Sequence, residues 1–330
     1  MGYMVEIRQV SDKEQWDDFG LEHGAHPLQL WGWGQLKASH GWQVDRVFIL
    51  EDEREVGAAQ ILIRKVPMPL RAFAYIPRGP ITTEDWQPEY LNALADYVKA
   101  HHKPVALSIE PDDEIYDVPQ GWHHAHNHIL PSHTLILDLN KPEAELLNDM
   151  AKKTRQYIRK SAADGVEIKA VKTKEELQKC LEIYHTTAKR AGFALHADQY
   201  YYDVYNSLQD QSPVFAAYAD GEPVAFLWLA VSGRTAFELY GGMNEKGQEL
   251  RANYSLKWQV IRKTKEWGLE RYDFGGLIEG GVSIFKRGWS EHETFLAGTY
   301  DKPLSSFYGV WNKGLPAVKR LVQRLRRQTS

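Results

Sequence analysis

Val47-Phe48-Ile49-Leu50, an acidic turn over 51–55 and Val56-Gly57-Ala58-Ala59-Gln60-Ile61-Leu62-Ile63 form one pattern. Val214-Phe215-Ala216-Ala217-Tyr218, a turn over 219–223 and Val224-Ala225-Phe226-Leu227-Trp228-Leu229-Ala230-Val231 form a second. Each is two apolar runs around a short polar turn, the signature of a β-hairpin. A third apolar run follows each: Ala72-Phe73-Ala74-Tyr75 before Gly79, and Ala236-Phe237-Glu238-Leu239-Tyr240 before Gly241-Gly242.

The likeness extends outward from both hairpins. Helical patterns over 12–23 and 30–39 precede the first, and over 174–190 and 198–208 the second. Leu177, Leu181 and Tyr184 share one face of 174–190 at helical spacing. After each third strand come another helix (88–102 and 253–267) and a further strand (105–109 and 271–274). Two copies of helix-helix-β-β-β-helix-β predict an α/β protein of two lobes with mainly antiparallel sheets. The joint is expected over 139–151, where Asn140-Lys141-Pro142 breaks the chain before a charged helix. The segment from Lys302 onward belongs to neither copy.

Composition bounds the function. The 330 residues suggest two domains, and 43% hydrophobic with 25% charged residues suits a water-soluble globular chain. Cys180 is the single cysteine, so no intramolecular disulfide can form. The N-terminal residues carry Glu6 and Arg8 without an apolar run, so no signal peptide is expected. No stretch reaches the roughly 18 apolar residues of a membrane helix. The chain reads as cytoplasmic, with peripheral membrane contact left open.

Charge is divided unevenly. Residues 1–150 hold 12 Lys+Arg against 24 Asp+Glu, and residues 151–330 hold 28 against 20. A net-positive second part suits an anionic partner: RNA, a diphosphate or an anionic membrane surface. From Lys313 to the end there are six basic and no acidic residues, on a helical apolar stripe of Leu315, Val318, Leu321, Val322 and Leu325. The stripe is expected to dock on a lobe, leaving the basic face for water, RNA or phospholipid headgroups.

Several stretches in order resemble the Fem peptidyltransferase family (FemABX). They are Leu30-Trp31-Gly32-Trp33-Gly34-Gln35-Leu36-Lys37, Tyr75-Ile76-Pro77-Arg78-Gly79-Pro80, and Lys153-Thr154-Arg155-Gln156-Tyr157-Ile158-Arg159-Lys160. Thr187-Ala188-Lys189-Arg190, Tyr272-Asp273-Phe274-Gly275-Gly276-Leu277 and Phe285-Lys286-Arg287-Gly288-Trp289 follow. The resemblance implies two tandem GNAT-like (acyl-CoA N-acyltransferase-like) lobes with the C-terminal tail packing back on the first. Lobe 1 is then expected over 1–147 and 301–330, binding a peptidoglycan precursor. Lobe 2 is expected over 148–300, taking the tRNA end and the chemistry. Some relatives insert a helical hairpin in lobe 2. Here Gly192 and the helix 198–208 follow Arg190 without room for it, so the chain resembles the compact type.

The implied activity is transfer of an amino acid from aminoacyl-tRNA to a stem-peptide amine of UDP-MurNAc-pentapeptide or lipid II. The ester is already activated, so no energy source and no cofactor is expected. The amine must lose a proton, the oxyanion must be stabilised, and the ribose oxygen must leave protonated. By resemblance, Lys286 supplies the cation for the oxyanion and Phe285 stacks at the tRNA end. Asp273, at a strand end, is either catalytic or a cap for the next turn. Glu110, where a relative carries aspartate, is the candidate general base, with water as the other proton acceptor. Lys37 and Arg190 are implied to hold the precursor's diphosphate. Tyr240, Tyr75 and Arg78 are further substrate candidates within matched motifs.

Lys152, Lys153, Arg155 and Arg159 lie in a helix with five basic charges in nine residues, suited to tRNA phosphates or to a solvated linker. His123, His124, His126, His128 and His133 look like a loop rather than a closed ligand set, so no metal is expected. Cys180 sits in a helix without an activating neighbour, which argues against an acyl-enzyme. The rival chemistry is acyl-CoA-dependent N-acylation on the same fold. It fits poorly, because Gln248-Glu249-Leu250-Arg251-Ala252-Asn253-Tyr254 replaces the glycine-rich phosphate loop. A non-catalytic RNA- or membrane-binding relative is the other reading, and Lys286 would then be dispensable.

Overall fold

The computed structural model describes residues 5–125, 128–277 and 281–314. The chain divides into two compact units, Met1–Ser132 with Phe295–Ser330, and His133–Thr294.

In the first unit the expected hairpin is Gln43–Glu51 against Arg54–Lys65, antiparallel, with Val5–Gln9 added on its outer edge. Ala72–Pro77 continues antiparallel, and Ala106–Glu110 then joins parallel through the helix Tyr90–His102. That helix buries Tyr90, Leu91, Leu94, Ala95 and Val98 against Val47, Ile49, Ile61, Ala74 and Leu107 of the sheet. The spacing is that of an amphipathic helix covering a sheet face. The other face packs Trp16 and Phe19 of Lys13–Glu22 on Phe48 and Ala58.

The second unit repeats the scheme. Val214–Ala219, Glu222–Val231 and Thr235–Met243 are antiparallel in turn, and Arg271–Asp273 joins parallel through the helix Ala252–Glu266. Leu227 and Leu229 of the sheet meet Leu256, Val260 and Ile261 of that helix. Thr173 and Glu176 form a capping box at the start of Lys174–Ala191, which Gly192 ends in the left-handed region at φ +73°. The two α/β lobes with mainly antiparallel sheets expected from the duplication are present.

Each sheet is completed by a strand from outside its own copy. Thr299–Pro303 pairs antiparallel with Ala106–Glu110, and Ile136–Asp138 pairs antiparallel with Arg271–Asp273. The division therefore falls at 132/133 and 294/295, not at the 147/148 and 300/301 read from the sequence. Residues 133–147 carry the last strand of the second sheet, so they sort with it. The tail returns to the first unit as expected: the Trp311 ring packs tilted on Phe73 at 5.0 Å between ring centroids. The basic stripe from 315 onward lies outside the described residues.

Pairing between Thr235–Met243 and Arg271–Asp273 ends at Phe237 and Asp273. The chain then turns through Gly275 and Gly276, at φ +75° and +102°. A Cβ on Gly275 would lie 2.5 Å from the Glu238 carbonyl oxygen. Gly275→Ala is therefore expected to destabilise the chain by about 1–3 kcal/mol, from a left-handed backbone and a backbone clash together. Urea unfolding checks it, and an unchanged midpoint would show that the turn has another way to relax.

Candidate functional site

The turn after Arg271–Asp273 is built by its own side chains. The Asp273 carboxylate accepts from Thr134 Oγ1 at 2.6 Å and from Gly275 N–H at 2.8 Å. Gly276 N–H donates to Thr134 Oγ1 at 3.0 Å. Asp273 is fully buried. Of its two expected roles the structure displays the cap: it fixes the turn rather than facing solvent.

Lys286 reaches this turn. It lies in the last turn of the helix Gly281–Arg287. Its ammonium donates to Phe274 O and, at 2.9 Å, to Gly276 O. An ammonium has three N–H donors, so one remains beyond these two carbonyls.

Beside it Phe285 packs edge-on to Tyr254 at 5.0 Å and to Trp289 at 5.9 Å. Tyr254 in turn meets Tyr157 at 5.1 Å. The Arg251 guanidinium sits 4.6 Å over the Tyr157 ring, and Lys153 Nζ 5.5 Å from it. The Arg251 guanidinium holds the Tyr157 phenol below its usual range, against the opposing effect of burial and with Lys153 adding to the fall. Ala151 N–H donates to Gly288 O at 3.0 Å, tying the start of Lys152–Ala163 to the Lys286 segment. The second unit thus gathers Lys286, Phe285, Lys153 and a row of aromatic rings packed edge to face. Such a row with cations suits single-stranded nucleic acid.

Not every basic residue of that helix is available. Lys152, Lys153 and Arg159 are exposed. Arg155 instead donates to Leu147 O at 3.0 Å, Asn148 O at 3.2 Å and Met150 O at 2.5 Å. It closes the carbonyl end of the helix Glu143–Asp149, a structural use for a residue expected among the tRNA contacts.

Arg190 donates to Met243 O at 3.1 Å at the end of Thr235–Met243 and stays exposed. Tyr240, on the same strand, is half-buried between Tyr184, Tyr201 and Trp228, at 5.7, 5.1 and 5.5 Å. Burial, then the neighbouring phenols of Tyr200, Tyr184 and Tyr201, pushes its hydroxyl well above its ordinary value. Lys37 lies in the first unit on the helix Trp31–Ser39, its Nζ 4.4 Å over the Trp33 ring.

Glu110, expected as the general base, is held by donors of its own chain. It is 1% exposed, and its carboxylate accepts from the Tyr75 hydroxyl, Ile129 N–H at 2.7 Å, Leu130 N–H at 3.1 Å and Thr299 Oγ1 at 2.7 Å. These donors pin the segment 128–131 to the sheet and occupy its lone pairs. Tyr75 is engaged in the same network, burial pushing its phenol well above its ordinary value. Arg78 is buried at φ +47° and donates to Pro131 O at 2.7 Å. Tyr75 and Arg78 thus each bond to their own chain, while the buried Arg78 Nε has no partner among the described residues.

The histidine run is partly a strand: His123 and His124 lie in His123–Ala125, paired with Thr299–Pro303. His128 Nδ1 meets Thr299 Oγ1 at 3.0 Å, and His133 pairs with Glu293 at 2.5 Å. His126 lies outside the described residues. Cys180 is buried, which pushes its thiol up to about 12.

The sequence reading missed Lys257, Glu238, Arg251, Tyr254 and Tyr157. Lys257 is a buried lysine on Ala252–Glu266, ion-paired to Glu238. Its one sequence signal was a lysine between Leu256 and Trp258, on the inward side of a helix.

Comparison with known proteins gives a consistent result. A family model described as the FemAB family matches residues 12–127, 119–224 and 220–313. The Lipid II:glycine glycyltransferase of Staphylococcus aureus (strain USA300) is 29% identical over 271 residues, covering 74% of this chain and 61% of that protein. The protein of the same name in Staphylococcus haemolyticus (strain JCSC1435) is 21% identical over 376 residues, covering 85% and 90%. This chain thus spans about three-fifths of the S. aureus relative's length. Among solved structures, FemX matches with a TM-score of 0.80 at 21% identity, over 90% of this chain and 97% of that one. A tandem GNAT protein from the clavulanic acid biosynthesis pathway matches at 0.52 and 10% identity, over 92% and 99%. At these identities the two structures show the fold alone.

Glu110→Gln is expected to keep turnover within a few-fold of wild type. It should lower stability by about 1–3 kcal/mol, the cost of mismatching a buried acceptor. Turnover and thermal unfolding on the same preparation check this. A loss of activity of about 10²-fold or more in a fully folded variant would restore Glu110 to the chemistry.

Proposed function

The chain belongs to the FemAB family, and from that premise we propose that it is an aminoacyltransferase. It moves an amino acid from aminoacyl-tRNA onto the stem-peptide amine of a peptidoglycan precursor, building interpeptide bridges. The observation that carries this reading is Lys286, an ammonium presented on two backbone carbonyls beside a row of aromatic and basic side chains. The relatives named for lipid II as glycine acceptor support the substrate class.

In this reading the precursor amine attacks the ester carbonyl of the aminoacyl group. A C–N bond forms and the C–O bond to the ribose breaks. The amine proton passes to solvent and the ribose oxygen takes one up as it leaves. Lys286 offers its remaining N–H to the oxyanion, where a fixed positive donor gains most. Phe285 and Tyr254 stack on the 3′-terminal bases, and Lys152, Lys153, Arg159 and Arg251 meet the tRNA phosphates. Lys37 and Arg190 are each assigned to the precursor's phosphates, and Tyr240 to its contact surface. Arg155, Glu110, Tyr75 and Arg78 act through the fold. Asp273 acts through the turn that receives Lys286.

No helix among the described residues is long and apolar enough to cross a membrane. The reaction is placed in the cytoplasm, at the inner membrane face where the acceptor is lipid-linked, with the basic tail touching headgroups.

The test is transfer of radiolabel from a mixed aminoacyl-tRNA pool to UDP-MurNAc-pentapeptide and to lipid II, for wild type and Lys286→Met. Label is expected in at least one precursor, at a rate about 10²–10³-fold lower in the variant. No label in either, with acyl-CoA supporting acylation instead, overturns the tRNA-dependent reading.

A further inference from the structure

Lys257 projects from Ala252–Glu266 toward the sheet, where Leu256, Val260 and Ile261 around it are core residues. It is 5% exposed and ion-paired to Glu238, whose side chain is 8% exposed. Glu238 is the first residue of Thr235–Met243 beyond the last parallel pair, Phe237 with Asp273. Its Oε1 also accepts from the buried Tyr272 hydroxyl at 2.9 Å. Its own carbonyl is the atom against which Gly275 packs. Lys257 Nζ in turn lies 4.4 Å from the Phe274 ring centroid and 5.3 Å from that of Phe285. Phe274 gives Lys286 one of its two carbonyl acceptors, and Phe285 is the neighbour of Lys286 in the chain.

Stability alone does not account for this pair. Two charges taken from water lose hydration that their attraction barely restores, and apolar side chains of similar volume hold a core as well. What the pair supplies is direction. A cation favours the faces of both rings, and a carboxylate fixes where the cation sits.

We propose that the Lys257–Glu238 ion pair is a positioning device for Lys286, holding the Phe274–Gly276 turn and the Phe285 ring in the arrangement that acyl transfer uses. This rests on the reading of Lys286 as the cation of the reaction.

Burial lowers Lys257 to about 8, with Glu238 opposing and the Lys286 charge adding to the fall. The titratable groups facing it are Glu238 and Tyr272 from the sheet and Lys286 from the helix Gly281–Arg287. The helix Lys152–Ala163, on the other side of Ala252–Glu266, turns Thr154, Ile158 and Ser161 inward and none of these titrates. The cation is present below pH 8 and lost above it. The unfolded lysine keeps its proton to 10.5, so between about 8 and 10.5 the unfolded chain binds more protons. Through this group the fold gains stability as pH rises. An alkaline fall in turnover is therefore expected without unfolding, which a purely structural pair would not give.

The experiment measures single-turnover rates on the full chain from pH 6 to 10, with the precursor that accepts label, for wild type, Lys257→Arg, Lys257→Met, the double variant Lys257→Met/Glu238→Met, and Lys286→Met. Thermal unfolding is followed in parallel. Wild type is expected to lose rate with a midpoint near 8 while its unfolding temperature does not fall. Lys257→Arg keeps its charge and moves that limb up by about a unit or more. Both Met variants lower the rate on the order of 10- to 100-fold at pH 7, the scale of a misplaced catalytic group, with acceptor KM unchanged. The double variant removes both charges and keeps the fold. Wild-type rates in the folded double variant, or an unmoved limb in Lys257→Arg, overturn the positioning role. Wild-type rates in Lys286→Met overturn the reading of Lys286 itself, and the proposal with it.

Discussion

Parallel pairing in the second sheet stops after Phe237 and Asp273, and the chemistry depends on what closes the gap beyond. Two strands that part company leave backbone groups without ladder partners, and buried groups of that kind must be satisfied. Asp273 and Thr134 do this for the N–H groups of Gly275 and Gly276. Lys286 does it for the carbonyls of Phe274 and Gly276. The cation assigned to the reaction is therefore also part of the turn that orients it. A lysine on a free surface would sample many rotamers; this one has two fixed acceptors.

The two copies of the fold use the same place differently. In the first unit a tyrosine of the third strand, Tyr75, meets a glutamate of the fourth, Glu110. In the second, a glutamate of the third strand, Glu238, meets a tyrosine of the fourth, Tyr272. The first pair is completed by the backbone N–H groups of Ile129 and Leu130 and by Thr299, all neutral. The second is completed by Lys257, a charge. One copy thus carries a neutral lock for a loop, and the other carries a buried cation beneath aromatic rings. Duplication supplied the frame, and the groups that complete each Tyr–Glu pair separate a neutral end from a charged one.

The elements were legible in the sequence because their signals are local. The hairpins of 43–65 and 214–231 announce themselves by apolar runs around Asp and Gly turns, and the helices by a 3.6-residue period. Lys286 and Phe285 could be singled out in the sequence because their motif is contiguous. The last strands, Ile136–Asp138 and Thr299–Pro303, were not. Short strands carry too few residues for a period, and their partners lie far away in the chain.

What the sequence determined by itself is the duplicated α/β architecture, the contiguous motifs and the basic second part. What only the tertiary structure decided is how each polar side chain is used. Glu110 and Arg155 carry the residue types of a reactive site, yet each is surrounded by donors or acceptors of its own chain. Lys257 has the sequence context of an ordinary helix position, yet it is buried under two rings beside Lys286. The physical reason is that reactivity depends on hydration and on the directions of neighbouring dipoles and charges. Those are set by residues many positions apart, and no local pattern records them.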